Sequence, residues 1–351
     1  MNMKTGELSE ALFIFSGVSK KNALTEEYRC LLLSPEGIRG AAPFGVVEVF
    51  FDMPVEDTVF VDGEKFISLM KTLPDEEVEL VAKKTMLQWK CGSSKGQFAL
   101  RAAKKPAPLK LPTTHSFDIP EGFGEKLQLA ATSCDSPALI ALGLFGVVVE
   151  NLEDDTLIGY SSNNRTVSSA LLGAGGDLGG STLTLSPEAV RILSLASRAE
   201  GAVLATGDGL VGVRSPKMQI LLRQVAPLKQ DLRSTITRFE SSERKVSLQR
   251  APISEFLRRV SILAEDRGQS RITIGIEDGS TTLAFKDGTA SSDFVYESED
   301  AGDLKEEVRL DSRDFASIIG KVDALVFDHV GDGAAVLESA DGKFRYIMDL
   351  D

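Results

Sequence analysis

Two histidines, three cysteines and scattered carboxylates make up the reactive side chains of this 351-residue sequence, and their spacing does not suit catalysis. His115 and His329 are too few and too scattered to complete a metal site with Cys30, Cys91 and Cys134. The cysteines are odd in number and sit in apolar or strand-like surroundings, the pattern of reduced structural thiols in a cytoplasmic protein. His329, within Val326-Phe327-Asp328-His329-Val330, reads as a structural strand residue. Glu150, Asp154 and Asp155 offer the acid–base pair of a hydrolase or transferase. However, Glu153-Asp154-Asp155 marks a turn, and solvated surface is the simpler reading. The glycine-rich stretch Gly173–Gly180 superficially resembles a phosphate loop. It lacks a following Lys-Ser/Thr and leads into a strand, so a surface loop is expected. Neither catalysis, nor a metal, nor a cofactor is expected.

Phosphate binding is the other chemistry on offer. The formal net charge is −13, which argues at first against a nucleic-acid partner. Charge distribution matters more than the total. Acidic residues gather in turns and strand ends, at Asp75-Glu76-Glu77, Glu153-Asp154-Asp155 and Glu297 to Asp303. Helical segments instead carry Lys20, Lys21, Lys65, Lys71, Lys126, Arg191, Arg198, Arg258, Arg259, Arg267, Arg313 and Lys321. Taken alone, these are solvated helix faces paired with nearby Glu. Gathered on one side of an assembly, they would hold backbone phosphates without reading sequence.

The elements that would position them come from an internal repeat. Val59, Val61, Asp62, Phe66 and Leu69 correspond to Leu183, Leu185, Ser186, Val190 and Leu193, and again to Val308, Leu310, Asp311, Phe315 and Ile318. Each copy is a short alternating strand, a helix-capping Asp or Ser, an amphipathic helix and further strands. The interval is about a third of the chain, far longer than a solenoid repeat of roughly 20–50 residues. The chain therefore reads as three copies of one α+β domain, over 1–111, 112–236 and 237–351. Each holds two helix-plus-strands halves, which makes six helices. Expected helices include Leu8 to Ser19, Glu121 to Cys134 and Pro252 to Ala264. Expected strands include Tyr28 to Leu33, Gly45 to Phe51, Leu144 to Glu150 and Thr156 to Tyr160, with a hairpin around Asp278-Gly279. Lys104 to Pro108 reads as a linker. The longest apolar run, Pro137 to Val149, is too short to span a bilayer, and Met1 to Glu7 has no apolar leader core.

In this order and spacing the residues resemble the bacterial DNA polymerase III beta sliding clamp family, over essentially the whole chain. Val61-Asp62-Gly63-Glu64-Lys65-Phe66 through Leu73-Pro74, then Val78 to Leu100, is similar to the family's first domain, with Phe98-Ala99-Leu100 matching its Phe-Ser-Leu ending. Leu144 to Glu150 is similar to Leu-Asn-Gly-Met-Leu-Phe-Glu. Arg165 falls on the arginine of the Thr-Asp-Gly-His-Arg-Leu turn, and Phe344 to Asp351 matches the family's C-terminal strand and tail. The divergence resembles that of a phage-encoded or otherwise remote clamp.

The resemblance implies a fold of three DNA-clamp domains, each with two helices on antiparallel sheets, closing into a ring as a head-to-tail homodimer. It implies double-stranded DNA, a replicative DNA polymerase and a clamp loader as partners, with no membrane. The pool for the DNA-facing surface is Lys20, Lys21, Lys71, Lys126, Arg191, Arg198, Arg258, Arg259 and Lys321. By the family alignment, Phe98 and Leu100 meet Ile262 and Leu263 across the dimer contact. A cleft for partner peptides draws on Leu144, Arg165, Thr166, Val167, Leu232, Tyr346, Met348 and Leu350. This cleft departs from the family pattern. Its turn is Asn-rich, Lys229-Gln230-Asp231-Leu232 replaces Phe-Pro-Asp-Tyr, and Asp349 and Asp351 replace Pro and Arg. The alternatives are a clamp-like decoy or transcription coactivator that is not loaded on DNA, and an α+β hydrolase.

Overall fold

Strand pairing between successive repeats organises the computed structural model, which describes residues 3–18, 25–102, 106–134, 143–163, 165–237, 245–263, 271–287, 290–298, 300–301, 305–327 and 334–349. Two compact units result: residues 1–124, 150–157 and 173–225, and residues 125–149, 158–172 and 226–351. Both contain part of 112–236.

The first unit carries β1 (Met3–Lys4), α1 (Thr5–Phe13), β2 (Cys30–Ser34), β3 (Gly37–Ala42), β4 (Gly45–Phe50), β5 (Val59–Asp62), α2 (Gly63–Met70), β6 (Glu77–Lys83), β7 (Met86–Cys91), β8 (Ser94–Ala99) and β9 (His115–Asp118). A four-stranded sheet runs β1-β6-β7-β8. The chain next forms α3 (Phe123–Ala130), β10 (Val147–Asn151), β11 (Thr156–Ser162) and β12 (Thr166–Ala174). The first unit resumes with β13 (Leu183–Leu185), α4 (Pro187–Ala196), β14 (Val203–Gly207), β15 (Leu210–Ser215) and β16 (Met218–Arg223). Its large sheet runs β5-β2-β3-β4-β16-β15-β14-β9. The join is β4 against β16, Gly45 opposite Leu222 and Val49 opposite Met218.

The repeat explains the helix starts. Asp62 Oδ1 accepts the Lys65 N–H at 3.2 Å, and Ser186 Oγ accepts the Ala189 N–H at 3.2 Å. Each cap satisfies one of the N–H groups that a first helical turn leaves without a partner. Behind the caps Phe66, Val190 and Phe315 are buried, as are the strand residues Val61, Leu185 and Leu310. The first helix ends at Phe13 and continues as a 3₁₀ turn, Ile14–Gly17, which buries Phe15. That burial accounts for a glycine in β3, a strand absent from the sequence reading. A Cβ on Gly40 would lie 2.8 Å from the Phe15 ring, so glycine stands where a strand former would clash.

The second unit adds α5 (Arg233–Thr237), β17 (Lys245–Ser247), α6 (Arg250–Leu263), β18 (Arg271–Glu277), β19 (Ser280–Asp287), β20 (Ala290–Glu297), β21 (Lys305–Asp311), α7 (Ser312–Ile318), β22 (Ala324–Phe327), β23 (Ala334–Glu338) and β24 (Phe344–Asp349). Its large sheet runs β10-β11-β12-β24-β23-β22-β17, and its small one β20-β19-β18-β21. Here the join between repeats is β12 against β24. Ile253, Phe256, Leu257 and Val260 form the buried stripe of α6. The β18–β19 turn has positive φ at Asp278 (49°) and Gly279 (76°), the two-residue hairpin that Asp-Gly favours.

Candidate functional site

The first unit brings some of the cations together. Lys71 follows α2, and its Nζ lies 5.7 Å from the centre of the Phe13 ring. Phe13 is 51% exposed, large for an aromatic ring. Its carbonyl accepts the Ser16 hydroxyl at 2.8 Å, and Ser16 Oγ in turn accepts from Arg191 Nη2 at 3.5 Å. Arg191 is exposed on α4, and Arg198 is exposed just beyond that helix. One cation thus lies over the Phe13 ring, and a second, from another repeat, bonds to the Ser16 hydroxyl three residues on. The same surface includes exposed Glu7 and Glu10 on α1, so it is not uniformly positive.

In the second unit Lys126 on α3 is half-buried, with its ammonium 3.5 Å from the Leu172 carbonyl. Arg258 and Arg259 are both exposed on α6, but Arg259 is tied to Glu255 one turn back. Arg258 and the exposed Lys321 have no acidic partner among the described residues. Lys20 and Lys21 lie outside the described residues.

The proposed peptide cleft divides by register. Thr166 is opposite Met348 and Ser168 opposite Tyr346, while Val167 is opposite Ile347. Paired residues share a face and neighbours alternate, so Val167 is on the other face from Tyr346 and Met348. The three residues therefore do not line one face of the sheet. Leu144, Val167, Leu232, Tyr346 and Met348 are all buried, and Tyr346 is among the largest fully buried side chains. Tyr346 is interior although it lies near the C-terminus, because β24 is an interior strand between β12 and β23. Only Arg165 and Thr166 reach solvent. Leu350 lies outside the described residues.

Sequence reasoning missed the hydroxyl network behind this strand pair. Ser161 and Ser168 both donate to the Ala130 carbonyl at the end of α3, at 2.7 and 2.8 Å. Ser133 Oγ lies 2.9 Å from Thr166 Oγ1, and Ser168 Oγ accepts the Ser133 N–H at 3.1 Å. Asn163 Oδ1 receives the N–H groups of Arg165 and Thr166 at 3.0 and 2.9 Å, which fixes the turn that presents Arg165. The visible signal was Thr166 and Ser168, two hydroxyls spaced by two on one strand face.

Of the four residues assigned to a subunit contact, Phe98 lies on an edge strand, Leu100 just beyond it, and Ile262 and Leu263 at the end of helix α6. β8 ends the β1-β6-β7-β8 sheet and β20 ends the β20-β19-β18-β21 sheet. Phe98 is half-buried, its ring 5.6 Å from Phe66 and edge-on. The Leu100 N–H is held by the Thr85 carbonyl at 2.8 Å. Ile262 is 79% exposed and Leu263 half-buried at the end of α6, which packs on β20, where Val295 is 59% exposed. An apolar surface therefore adjoins the free edge of a strand.

The rival carboxylates form a turn. Asp154 Oδ1 accepts the Thr156 N–H at 3.2 Å, and Asp155 takes a left-handed φ of 59°. Burial pushes the Cys30 thiol up to about 11, and it also raises Cys91, so neither is an activated nucleophile. Among the described residues no group of three His, Cys, Asp or Glu could hold a metal ion. No helix among the described residues is long and apolar enough to cross a membrane.

No family model and no curated protein matches the chain by sequence. Solved structures do match by fold. The DNA polymerase III beta subunit of Thermotoga maritima superposes with a TM-score of 0.81 at 16% identity, covering 99% of this chain and 98% of that one. The Pseudomonas aeruginosa DnaN sliding clamp bound to griselimycin gives 0.77 at 14%, with the same coverage. A putative beta subunit from Eubacterium rectale gives 0.76 at 11%, again with that coverage. The chain has the beta-clamp fold.

Proposed function

We propose that this protein is a DNA sliding clamp, a cytoplasmic processivity factor without catalytic activity. Two copies close head to tail around duplex DNA and tether a replicative polymerase, with a clamp loader opening the ring. The observation that carries this reading is the end-to-end agreement of fold with sliding clamps. The domains are those read from the repeat, 1–111, 112–236 and 237–351, joined by β4–β16 and β12–β24. DNA is held through phosphates by the exposed cations, with Lys71, Arg191, Arg198, Arg258 and Lys321 supported by their exposure and Lys126 and Arg259 contributing less. This contact ignores base sequence and weakens with salt.

The subunit contact is heterologous and closes by two-fold symmetry. Edge strand β8 of one copy adds to β20 of the next, with Phe98 and Leu100 against Ile262 and Leu263. The free strand edges and exposed Ile262 support this pairing. Partner peptides reach Arg165 and Thr166 at the start of β12. Leu144, Tyr346 and Met348 form the floor beneath rather than an open wall.

The test is topological. Protein cross-linked across the subunit contact in the presence of nicked circular plasmid should stay on the circle in high salt and leave when the plasmid is linearised. Equal retention on linear DNA would mean ordinary binding and would defeat the clamp reading. Deleting 349–351 should lower polymerase binding while ring assembly survives.

A further inference from the structure

A groove of about 500 Å³ opens in the first unit, beside the capping Ser186. Its apolar lining includes Val18, Tyr28, Pro43, Phe44 and Val225, and its charged groups are Glu188 and Arg223. Pro43 and Phe44 form the two-residue turn between β3 and β4, with Ala42 opposite Gly45. The Phe44 carbonyl accepts the Arg223 N–H at 2.9 Å, the last bond between this turn and β16. Beyond it the chain diverges: the Val225 N–H goes to the Thr184 carbonyl at 2.9 Å, and the Gln224 side chain accepts the Thr184 N–H at 3.2 Å. The groove is the fork left where β4 and β16 part.

The same construction occurs one repeat later. There the β11–β12 turn, bearing Arg165, stands beside the end of β24, with Thr166 opposite Met348. The two forks differ in what they leave open. Around Met348 the apolar side chains are buried, whereas Tyr28, Phe44 and Val225 are half-exposed and Pro43 is exposed. Arg223 is exposed and has no acidic partner among the described residues. Glu188, in the first turn of α4, is likewise unpaired among them.

We propose that this fork is a second docking groove for an extended peptide from a replication protein. The peptide's large apolar side chains lie against Tyr28, Phe44 and Val225, and an acidic residue pairs with Arg223. The charges orient it, since a carboxylate is attracted to the Arg223 end and repelled by Glu188. Pocketed apolar anchors supply most of the affinity in such complexes, and the charge pair supplies direction. The source of the peptide rests on the clamp reading; the groove and its chemistry do not.

The experiment uses the intact protein and two fluorescein-labelled hexapeptides, each with Leu and Phe anchors, one preceded by Asp and the other by Lys. Anisotropy should show binding of the Asp peptide and about tenfold weaker binding of the Lys peptide, the expected scale for one charge-assisted contact. Arg223→Glu should invert that preference. Val225→Arg should abolish binding while leaving the melting temperature and retention on circular DNA unchanged. Thr166→Arg, at the other fork, should leave binding intact. Loss through Thr166→Arg alone would assign the peptide to the second unit and overturn the proposal. Absence of binding at millimolar peptide, or self-association removed by Val225→Arg, would overturn it too. Failure on DNA with a successful charge swap would count against the clamp reading alone.

Discussion

Replacing Ile262 with Asp should dissolve the proposed dimer without unfolding the chain. Ile262 is 79% exposed in the single chain, so an aspartate there is solvated in the free subunit, and its effect on folding should be within about 0.5 kcal/mol. Full burial of an isoleucine is worth about 2 kcal/mol, most of which is still available to an assembly at this exposure. The variant loses that gain and places a carboxylate at an apolar contact, for roughly 2 kcal/mol more. Each contact then loses about 4 kcal/mol. A closed dimeric ring has two such contacts, so dissociation becomes easier by about 8 kcal/mol, between five and six orders of magnitude in Kd at about 1.4 kcal/mol per tenfold. Sedimentation velocity at micromolar protein should show the mass halving while circular dichroism and the melting curve stay those of the parent. A folded Ile262→Asp protein of unchanged mass would refute the interface. A variant that is both monomeric and unfolded would refute the claim that Ile262 is free in the subunit.

Neutralising Arg191 should lower DNA affinity uniformly across sequences and flatten the log–log salt dependence by about 0.9, the contribution of one phosphate contact; filter binding over a salt series measures this. Gly40→Val should destabilise the fold by about 1–3 kcal/mol in urea melts, because its side chain must displace the Phe15 and Leu31 side chains, which approach within 2.8 and 2.9 Å of a Cβ. Cys30 should make stability fall at alkaline pH. The unfolded thiol ionises near 9.0 and the folded one only near about 11, so between these values the unfolded chain sheds a proton that the folded chain keeps. Urea melts at pH 8 and pH 11 should show the loss, and Cys30→Ala should reduce it.

The sequence determined the architecture through features that are local and repeated. Strand residues such as Val61, Leu185 and Leu310 alternate in hydrophobicity, the Asp62 and Ser186 side chains cap helices three residues on, and Asp278-Gly279 closes a hairpin. Each depends on neighbours a few positions away, so its pattern is readable in one dimension. Strand β3 was not readable in this way, because Gly40 answers to Phe15 and Gly37 to the Val49 carbonyl, residues of other elements. Tertiary structure alone decided which face of β12 and β24 each side chain occupies. That is a matter of register, and a shift of one residue would exchange Val167 for Thr166 beside Met348. It also decided that Tyr346, near the C-terminus, is interior and that Ile262, on an amphipathic helix, is not. Whether an apolar residue is core or contact depends on what covers it, and β12, one of the two strands that flank Tyr346, lies far away in sequence.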